Sequence, residues 1–448
     1  MINYFKIILA PTLQQYSATN CKFPELWDGE REMTMFSSLS AAFTGMRGHT
    51  DAMQSISDNI VNIQTPGYKH AHTRFNEMVG EINRQANRTT QAHMGSAPST
   101  QFFIDKQGTV EFTGRALDVA IQGRGFFVTN TEETGTGATE LTRNGQLLNK
   151  TVNIGGVDQL FLSDVKGNVI MAWPTDDTGA LQIGTDLGSL QPVRIDNNAF
   201  TITASASTTA SLSMNLNPDT VTGETFSADV QVFDQTGTGH NINYSFAKTA
   251  ALNTWELTAT VTDGNVTTAM PITFTFDASG LLTSPTSQAL DLTYTNTGGG
   301  TATVTTDFSN MFQFSGNSAL LDLNSNGNAS GFLDSINFSE TGEVVGDFSN
   351  GIARTIYKLP IAIVTEPNKM DLRQNTHYAT NQRSGDISLF EADQTALGDF
   401  VGGSLEASTA DLAMEFNNMI IAQQSFAMNG QSFRAIDEMA QIASDLKR

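Results

Sequence analysis

The stretch DNIVNIQTPGYK, residues 58–69, ends an apolar pattern that runs through the preceding part of the chain. Pro66 disfavours helical backbone geometry at Thr65, the residue before it. The tetrapeptide TPGY also places Pro and Gly at the positions that a type II turn requires. The sequence therefore predicts a helix that ends near Gln64, followed by a turn at Pro66 and Gly67.

Two seven-residue series precede this turn and define one face of the predicted helix. They comprise Leu39, Met46, Met53 and Ile60 in one series and Ala42, His49, Ile56 and Ile63 in the other. The residues between them are mostly Ser, Gln, Asp, Asn and Thr. A heptad with both seam positions filled and a polar outer face is typical of a helix that pairs with another helix. The alternative is a helix packed on an ordinary core, whose apolar face is usually wider.

Another seven-residue series lies near the carboxy terminus. It comprises Leu405, Leu412, Met419, Phe426, Phe433 and Ala440, and the stripe is widened by Phe416, Ile420, Ile436 and Ile442. Both ends of the chain are therefore predicted to carry helices with apolar seams. If these helices pair, the chain folds back on itself, and further burial of the seams requires neighbouring subunits.

The residues between the helices have the texture of β structure. Short alternating segments punctuated by Gly give way to longer segments rich in Thr, Ser and Val, and the short hairpins then return. We therefore predict an α+β, mainly β fold in which antiparallel β domains extend outward from a paired N- and C-terminal helical, coiled-coil-like domain. The predicted limits are 33–65 and 400–448 for the helical domain, 66–100 for a connector, 101–190 and 309–399 for a discontinuous inner β domain, and 191–308 for an inserted outer β domain.

Composition restricts the possible partners. The chain has 448 residues, a net charge of −22 and a pI near 4.5. Such acidity repels nucleic acid and anionic membrane surfaces. No apolar run reaches the roughly 18 residues that a membrane-spanning helix needs. We therefore expect no nucleic-acid partner and no membrane insertion.

Residues 1–32 share neither the heptad nor the Thr/Gly-rich texture of the rest, and they contain the chain's single cysteine, Cys21. With one basic residue before a short apolar run, the segment is a poor secretory signal. Met33 and Met35 stand directly before the heptad. We therefore expect translation to start at Met33 or Met35 rather than Met1, with residues 1–32 a mispredicted or disordered extension.

The sequence has no pattern typical of catalysis. The six histidines are scattered, which favours surface positions over a metal site, and His49 falls on the predicted seam. The stretch DLNSNGNASGFLD from Asp322 matches the first half of a calcium loop, but Leu333 stands where a bidentate Glu is required. GRGFF at residues 123–127 lacks the third glycine and the helix of a dinucleotide loop. We predict no catalytic residues, no cofactor and no metal.

Several segments resemble the flagellar rod and hook axial protein family. SDNIVNIQTPGYK is similar to the family's amino-terminal signature, TGRALDVAIQGRGFFV to its inner strand pair, and GSLEASTADLAMEFNNMIIAQQSFAMNGQSF to its carboxy-terminal helix. FSADVQVFDQTGTGHNINYSFAK and FSNGIARTIYKLPIAIVTEPNKMDLRQNTHYATNQRSG resemble segments that hook subunits carry in and around their outer domain. The resemblance extends over residues 33–448. It departs from the family pattern at residues 408–411, Ser425 and Phe426. These departures leave the seven-residue series intact and affect only details of the contacts between helices.

The resemblance implies a structural subunit and not an enzyme. It implies a hook subunit that polymerises with itself into a curved tube and transmits torque from rod to filament. It also implies export through the flagellar type III apparatus without a cleaved signal, an extracellular location, and contacts with the hook cap, distal rod and hook–filament junction proteins. The polymerisation interface is then expected at the seam residues Leu39, Met46, His49, Met53, Ile56, Ile60, Ile63, Leu405, Leu412, Met419, Phe426 and Phe433. The turn at Pro66 and Gly67 would redirect the chain from the tube wall to the outer domains.

Two alternatives stay open at this point. A distal rod subunit would share the termini and inner strands, but such proteins usually lack a separate outer domain, so residues 191–308 weigh against it. The other alternative is a secreted β-rich adhesin or hydrolase with helical ends. No active-site pattern in the sequence supports that second alternative.

Overall fold

The computed structural model describes residues 29–79, 93–176, 179–197, 199–295, 300–392 and 398–445. Of the predicted extension, residues 1–28 lie outside these ranges, whereas residues 29–32 belong to the first helix. Helix α1 spans Gly29–Val61 and helix α2 spans Leu412–Asp445. All described strands lie between the two helices, which confirms an α+β fold that is mainly β. Neither described helix is long and apolar enough to span a membrane.

The strands follow one another in short steps along the chain. Their bounds are β1 Ala71–Val79, β2 His93–Phe102, β3 Val110–Phe112, β4 Val119–Gly123, β5 Phe127–Asn130, β6 Thr139–Thr142, β7 Leu148–Ile154, β8 Val157–Ser163, β9 Val169–Pro174, β10 Gln191–Pro192, β11 Thr201–Ile202, β12 Thr209–Asn215, β13 Thr225–Phe233, β14 Gly239–Lys248, β15 Thr254–Val261, β16 Gly264–Val266, β17 Ile272–Phe276, β18 Leu282–Ser284, β19 Ser287–Tyr294, β20 Thr301–Asp307, β21 Ala319–Ser325, β22 Gly331–Phe338, β23 Glu343–Phe348, β24 Ala353–Lys358, β25 Ile361–Val364, β26 Asp371–Arg373, β27 His377–Ala379, β28 Ile387–Phe390, β29 Gly398–Gly402 and β30 Ser404–Glu406. Short 3-10 helices span Leu187–Ser189 and Pro367–Lys369.

The described chain divides into two compact units. The first contains α1 up to residue 58, the strands β1 and β2 as far as residue 101, and α2 from residue 413. The second contains residues 59–70 and the described part of 102–412.

The first unit differs from the predicted connector of residues 66–100. Strands β1 and β2 pair in a two-stranded sheet, so these residues are not irregular. Ala71 and Thr73 are buried while the last described residues of β1, from residue 74 to residue 78, are exposed. The Thr73 hydroxyl lies 2.8 Å from the Ser55 hydroxyl of α1. Because these strands carry few apolar residues, they lack the alternation by which strands are recognised in a sequence.

The inner part of the second unit is built around a twelve-stranded sheet. Its main path runs β11-β22-β23-β24-β9-β5-β6-β27-β26, with β10 and the β7–β8 hairpin joined at β9. Smaller pairs join β4 to β29 and β3 to β30, so strands far apart in sequence meet here. The cores contain fully buried side chains such as Phe127, Trp173 and Phe400.

The outer part of the second unit, which we call the outer sandwich, comprises the strands from Thr209 to Ser325. Its two five-stranded sheets have the orders β16-β19-β20-β12-β21 and β13-β14-β15-β17-β18, and they share one core. Strands β13, β14 and β15 alternate buried and exposed residues, as half-buried strands do. The pairs are antiparallel except for β12 with β20, which is parallel.

The limits of these sheets differ from the predicted limits of residues 191 and 308. Strands β10 and β11 pair with inner strands β9 and β22. Strand β21, beyond residue 308, pairs with β12 of the outer sandwich. Thr/Ser-rich texture does not reveal these partners, because pairing depends on residues distant in sequence.

The carboxy-terminal helix begins later than the predicted limit of residue 400. Leu405 lies in β30, where it pairs with Glu111 of β3, and α2 starts at Leu412. The inclusion of Leu405 in the helical seam was therefore wrong. A single residue at seven-residue spacing carries no helical information when its backbone is paired in a sheet.

The segment that follows α1 has the geometry of a tight turn. Helix α1 ends at Val61, and the amide of Tyr68 donates to the carbonyl of Thr65 at 3.2 Å. Gly67 has φ of +70°, as the third position of a type II turn requires. A β-carbon at Gly67 would lie 2.7 Å from the backbone nitrogen of Asn144. The turn therefore requires glycine for both conformation and space.

Replacing Gly67 with Ala is expected to lower the free energy of unfolding by more than the same change at Gly155. Gly155 has φ of +63°, but a β-carbon added there would meet nothing within 4 Å, so Gly155→Ala carries only backbone strain of about 1–2 kcal/mol. Gly67→Ala adds a collision with backbone atoms. Urea denaturation of the monomer measures both losses. Equal losses would contradict the close approach at Gly67.

Candidate assembly surface

A buried carboxylate joins the segments that lie next to the two helices. Glu406 of β30 accepts from the Lys69 ammonium at 2.5 Å through Oε1 and from the Arg143 guanidinium at 3.2 Å through Oε2. The amide of Gly108 donates to Oε1 at 2.7 Å. The side chains of Lys69, Arg143 and Glu406 are 1%, 3% and 0% exposed. We call these three side chains the ionic anchor.

The ionic anchor also has backbone links. The amide of Gly67 donates to the Glu406 carbonyl at 2.8 Å, so the turn itself is tied to β30. The Lys69 ammonium also donates to the carbonyl of Lys106, and Arg143 donates to the carbonyl of Gly123 at 2.7 Å. Three residues on from Glu406, the Thr409 hydroxyl accepts from the amide of His70 at 2.9 Å. The segment after α1 and the segment before α2 are therefore held together.

Each charge of the ionic anchor depends on its partners, because all three side chains are buried. Burial lowers the pKa of Lys69, and the Glu406 carboxylate opposes that shift. Burial likewise lowers the pKa of Arg143, again opposed by Glu406. A buried ion pair adds little net stability, but removing one partner leaves an uncompensated charge. Lys69 directly follows the predicted turn, yet sequence reasoning missed the site because Glu406 lies 337 residues away.

The predicted seam residues of α1 lie at different depths. Ile56 is buried, whereas Leu39, Met46, His49, Met53 and Ile60 are half-buried. Ile63 is half-buried too, but it lies in the turn beyond Val61, so it does not belong to the helical seam that the sequence predicts. Partial burial lowers the pKa of His49, whose ring lies 5.0 Å from that of Phe75 on β1. His49 therefore packs against an aromatic ring.

Helix α2 is more exposed than residues 38–61 of α1. Among the predicted seam residues, Met419 and Phe433 are half-buried, and Leu412 and Phe426 are 43% and 39% exposed. Further large apolar side chains of α2 are exposed, namely Met414, Phe416, Ile420, Ile421, Met428, Met439 and Ile442. A run of exposed apolar residues on this scale marks an interaction surface.

The two helices approach each other within the first unit. A β-carbon at Gly45 would lie 2.9 Å from the Asn429 amide nitrogen, and one at Gly430 would lie 3.9 Å from the Met46 sulfur. A cleft of about 140 Å³ is lined by α1, β1 and α2, including Ile56 and Ala422. Gly45 and Gly430 therefore allow α1 and α2 to come close where these residues face the other helix.

The remaining polar motifs have structural partners. Asn326, from the calcium-like stretch, accepts from the amides of Thr208 and Thr209 at 2.8 and 3.0 Å. His377 lies 2.6 Å from Asp164 and 2.9 Å from the carbonyl of Asn375. Among the described residues, no three His, Cys, Asp or Glu side chains are grouped to hold a metal ion.

Glu406→Gln should lower the free energy of unfolding by about 3–5 kcal/mol, because it leaves two buried cations without their counter-charge. The matched control is Glu366→Gln, which breaks an exposed pair with Lys369 at 3.8 Å. The control should cost less than about 1 kcal/mol. Urea denaturation of the monomer followed by circular dichroism compares the two. Similar losses would show that the ionic anchor is unimportant.

Two protein families match parts of the chain. The family described as the flagellar basal body protein FlaE D2 domain matches residues 201–328. The family described as the flagellar basal body rod FlgEFG protein C-terminal matches residues 401–446. A solved structure, the flagellar hook protein FlgE2 of Helicobacter pylori, aligns with a TM-score of 0.47 at 14% identity over 66% of this chain and 100% of that one.

Curated relatives match over nearly the whole chain. The flagellar hook protein FlgE of Salmonella typhimurium is 30% identical over 92% of this chain and 100% of its own length. The FlgE proteins of Escherichia coli and Rhizobium meliloti are 28% and 26% identical over 92% and 93% of this chain, and all of their own lengths are covered. These proteins are structural and not enzymes. The chain belongs to the flagellar hook protein family and is a self-polymerising structural subunit of the bacterial flagellar hook.

Proposed function

We propose that α1 and α2 pair in a coiled-coil-like manner and form the inner wall of the hook tube. The observation that carries this proposal is the apolar surface of α2, which stays exposed in a single copy of a chain that assembles with itself. The polymerisation interface then consists of the seam residues Leu39, Met46, His49, Met53, Ile56, Ile60, Leu412, Met419, Phe426 and Phe433. Leu405 is left out because it lies in β30, and Ile63 because it lies in the turn after α1.

Energetics support burial of this surface between copies. Each apolar side chain removed from water contributes about 1.5–3 kcal/mol. In a helical polymer every subunit repeats the same contacts, so small gains are multiplied along the tube. The net charge of −22 keeps separate copies soluble.

In the second part of the proposal, β regions extend from the helical wall. In this arrangement the helical domain is followed by an inner β domain interrupted in sequence, into which the outer sandwich is inserted. The curved tube joins rod to filament outside the cell and transmits torque between them. Export unfolded through the type III apparatus, without a cleaved signal, and contacts with the cap, distal rod and junction proteins complete the proposed role.

Met53→Asp and Phe426→Asp are expected to abolish tube formation while leaving the strands folded. A carboxylate forced into the apolar wall would lack a partner, at a cost of several kcal/mol. The matched controls are Gln54→Asp and Gln424→Asp, which add the same charge at exposed neighbouring positions. Electron microscopy of assembled material and circular dichroism of the monomers are the two measurements. Normal tubes from the seam variants would disprove the polymer interface.

Deleting residues 204–327 is expected to leave tube formation intact but to change the curvature or stiffness of the tube. The side-chain amide of Asn328 donates to the carbonyl of Thr203 at 3.0 Å, so the two ends left by the deletion are neighbours. The inner sheets keep their own cores. Curvature in electron micrographs of deleted and complete chains measures the effect. Loss of all assembly would show that the outer sandwich is needed for the wall.

A further inference from the structure

A buried histidine lies at the end of the outer sandwich that is joined to the inner sheets. His240 is the second residue of β14, directly after the turn between β13 and β14, and it is 1% exposed. That turn touches both connections to the inner sheets, because a β-carbon at Gly237 would lie 2.6 Å from the side chain of Ala204 and 3.3 Å from the backbone of Ala329. His240 therefore lies next to the base of the outer sandwich.

Three side chains from three different elements face the His240 ring. Asp234 Oδ2, from the turn between β13 and β14, lies 3.5 Å from Nε2. Asp263 Oδ2, from the turn between β15 and β16, lies 4.0 Å from Nδ1. The ring of Tyr294, the last residue of β19, stacks on the imidazole with centroids 3.9 Å apart. We call these four side chains the base cluster.

The base cluster spans both sheets of the outer sandwich. Strand β14 belongs to one five-stranded sheet and β19 to the other, and the turn that carries Asp263 crosses from β15 to β16 and so from one sheet to the other. The Asp263 carbonyl accepts from the amide and the hydroxyl of Thr295 at 2.9 and 3.0 Å, one residue beyond Tyr294. A bond between His240 and the Asp263 carboxylate would therefore tie the two sheets together at the base.

Hydrogen bonding in the base cluster is incomplete while His240 is neutral. Among the residues that the structure describes, His240 Nδ1 and the Tyr294 hydroxyl are buried without a hydrogen-bond partner. A neutral imidazole has a single N–H donor, which the contact with Asp234 uses. Nδ1 is then an acceptor facing the Asp263 carboxylate, and two acceptors cannot form a hydrogen bond.

Protonation of His240 removes this conflict. The imidazolium has a donor at each nitrogen, so Nδ1 can donate to Asp263 while Nε2 donates to Asp234. The Asp263 side chain is 49% exposed, which leaves it free to approach Nδ1. The face of the Tyr294 ring also attracts a cation. Burial opposes a charge on His240, and these three contacts compensate for it.

The other groups of the base cluster keep their charges in this pH range. Burial acts to raise the pKa of the Asp234 carboxyl, but hydrogen bonds from Thr236 and Thr238 outweigh it and lower the pKa below its ordinary value. Burial and the nearby Asp234 carboxylate raise the pKa of Tyr294, so its ring stays neutral. Histidine is the side chain whose charge ordinarily changes between about pH 5 and 8.

We infer that the base cluster is a pH-sensitive switch, in which protonation of His240 draws the Asp263 carboxylate to Nδ1 and fixes the base of the outer sandwich. The switch is closed while the imidazole carries two protons, and it opens as rising pH removes the second proton. This inference goes beyond the proposed function, since it concerns neither the terminal helices nor contacts between copies.

Hydrogen exchange in the complete monomer tests the switch. Exchange of the backbone amides of residues 261–267 is followed by mass spectrometry at about pH 5.5 and pH 7.5, and each rate is divided by the intrinsic chemical rate at that pH. The corrected rate should be at least about fivefold slower at the lower pH, because the closed switch holds this turn. Asp263→Ala removes the acceptor and should bring the two corrected rates within about twofold of each other.

Asp219→Ala is the matched control, since it removes the same charge from another exposed turn of the outer sandwich. It should keep the full pH effect. His240→Gln should lose the effect, and circular dichroism checks its fold. Asp263→Ala stays informative even if His240→Gln unfolds, because Asp263 is half-exposed.

Three results would overturn the inference. The unaltered chain could show no pH effect on the corrected rates, Asp263→Ala could keep the full effect, or Asp219→Ala could lose it as Asp263→Ala does. The first would show that the base cluster does not switch, and the others that the pH effect arises elsewhere. The measurement uses monomers, so its failure is distinct from failure of the proposed wall.

Discussion

One buried carboxylate links the segment that follows α1 to the segment that precedes α2. Glu406 accepts from Lys69, which follows the turn after α1, and from Arg143 of the inner region, while its carbonyl accepts from Gly67. Removing that charge leaves two cations without compensation in a site closed to water. The positions of the residues that lead out of α1 and into α2 therefore depend on this interaction.

A subunit that assembles with itself needs a stable fold of its own and surfaces that bind further copies. The fold separates these requirements, because the inner sheets and the outer sandwich each bury their own core, whereas α2 keeps a series of apolar side chains in contact with water. The net charge of −22 opposes the association of separate copies. In the proposed assembly, the exposed apolar surfaces are the parts that the monomer leaves for its neighbours.

The outer sandwich extends this division of roles. Its core is complete, with Tyr244, Trp255 and Phe274 fully buried. The parallel pairing of β12 with β20 places the loop after β20 at the end of the sandwich where β12 ends.

Much of the architecture follows from signals that act between neighbours in sequence. Pro66 and Gly67 determine a turn through their own backbone preferences, and the periodicities of α1 and of β13 to β15 reflect one buried face each. The two helical ends and the mainly β middle were therefore predictable. Strands β1 and β2 were not, because their side chains are too polar to produce a period.

Tertiary structure decided everything that depends on partners distant in the chain. It placed Leu405 in a strand by pairing it with Glu111, assigned β21 to the outer sandwich, and brought Lys69 to Glu406 across 337 residues. A sequence pattern records which face of a segment is apolar. It does not record which other segment supplies the opposing backbone or charge, because that choice is made by the packing of the whole β region.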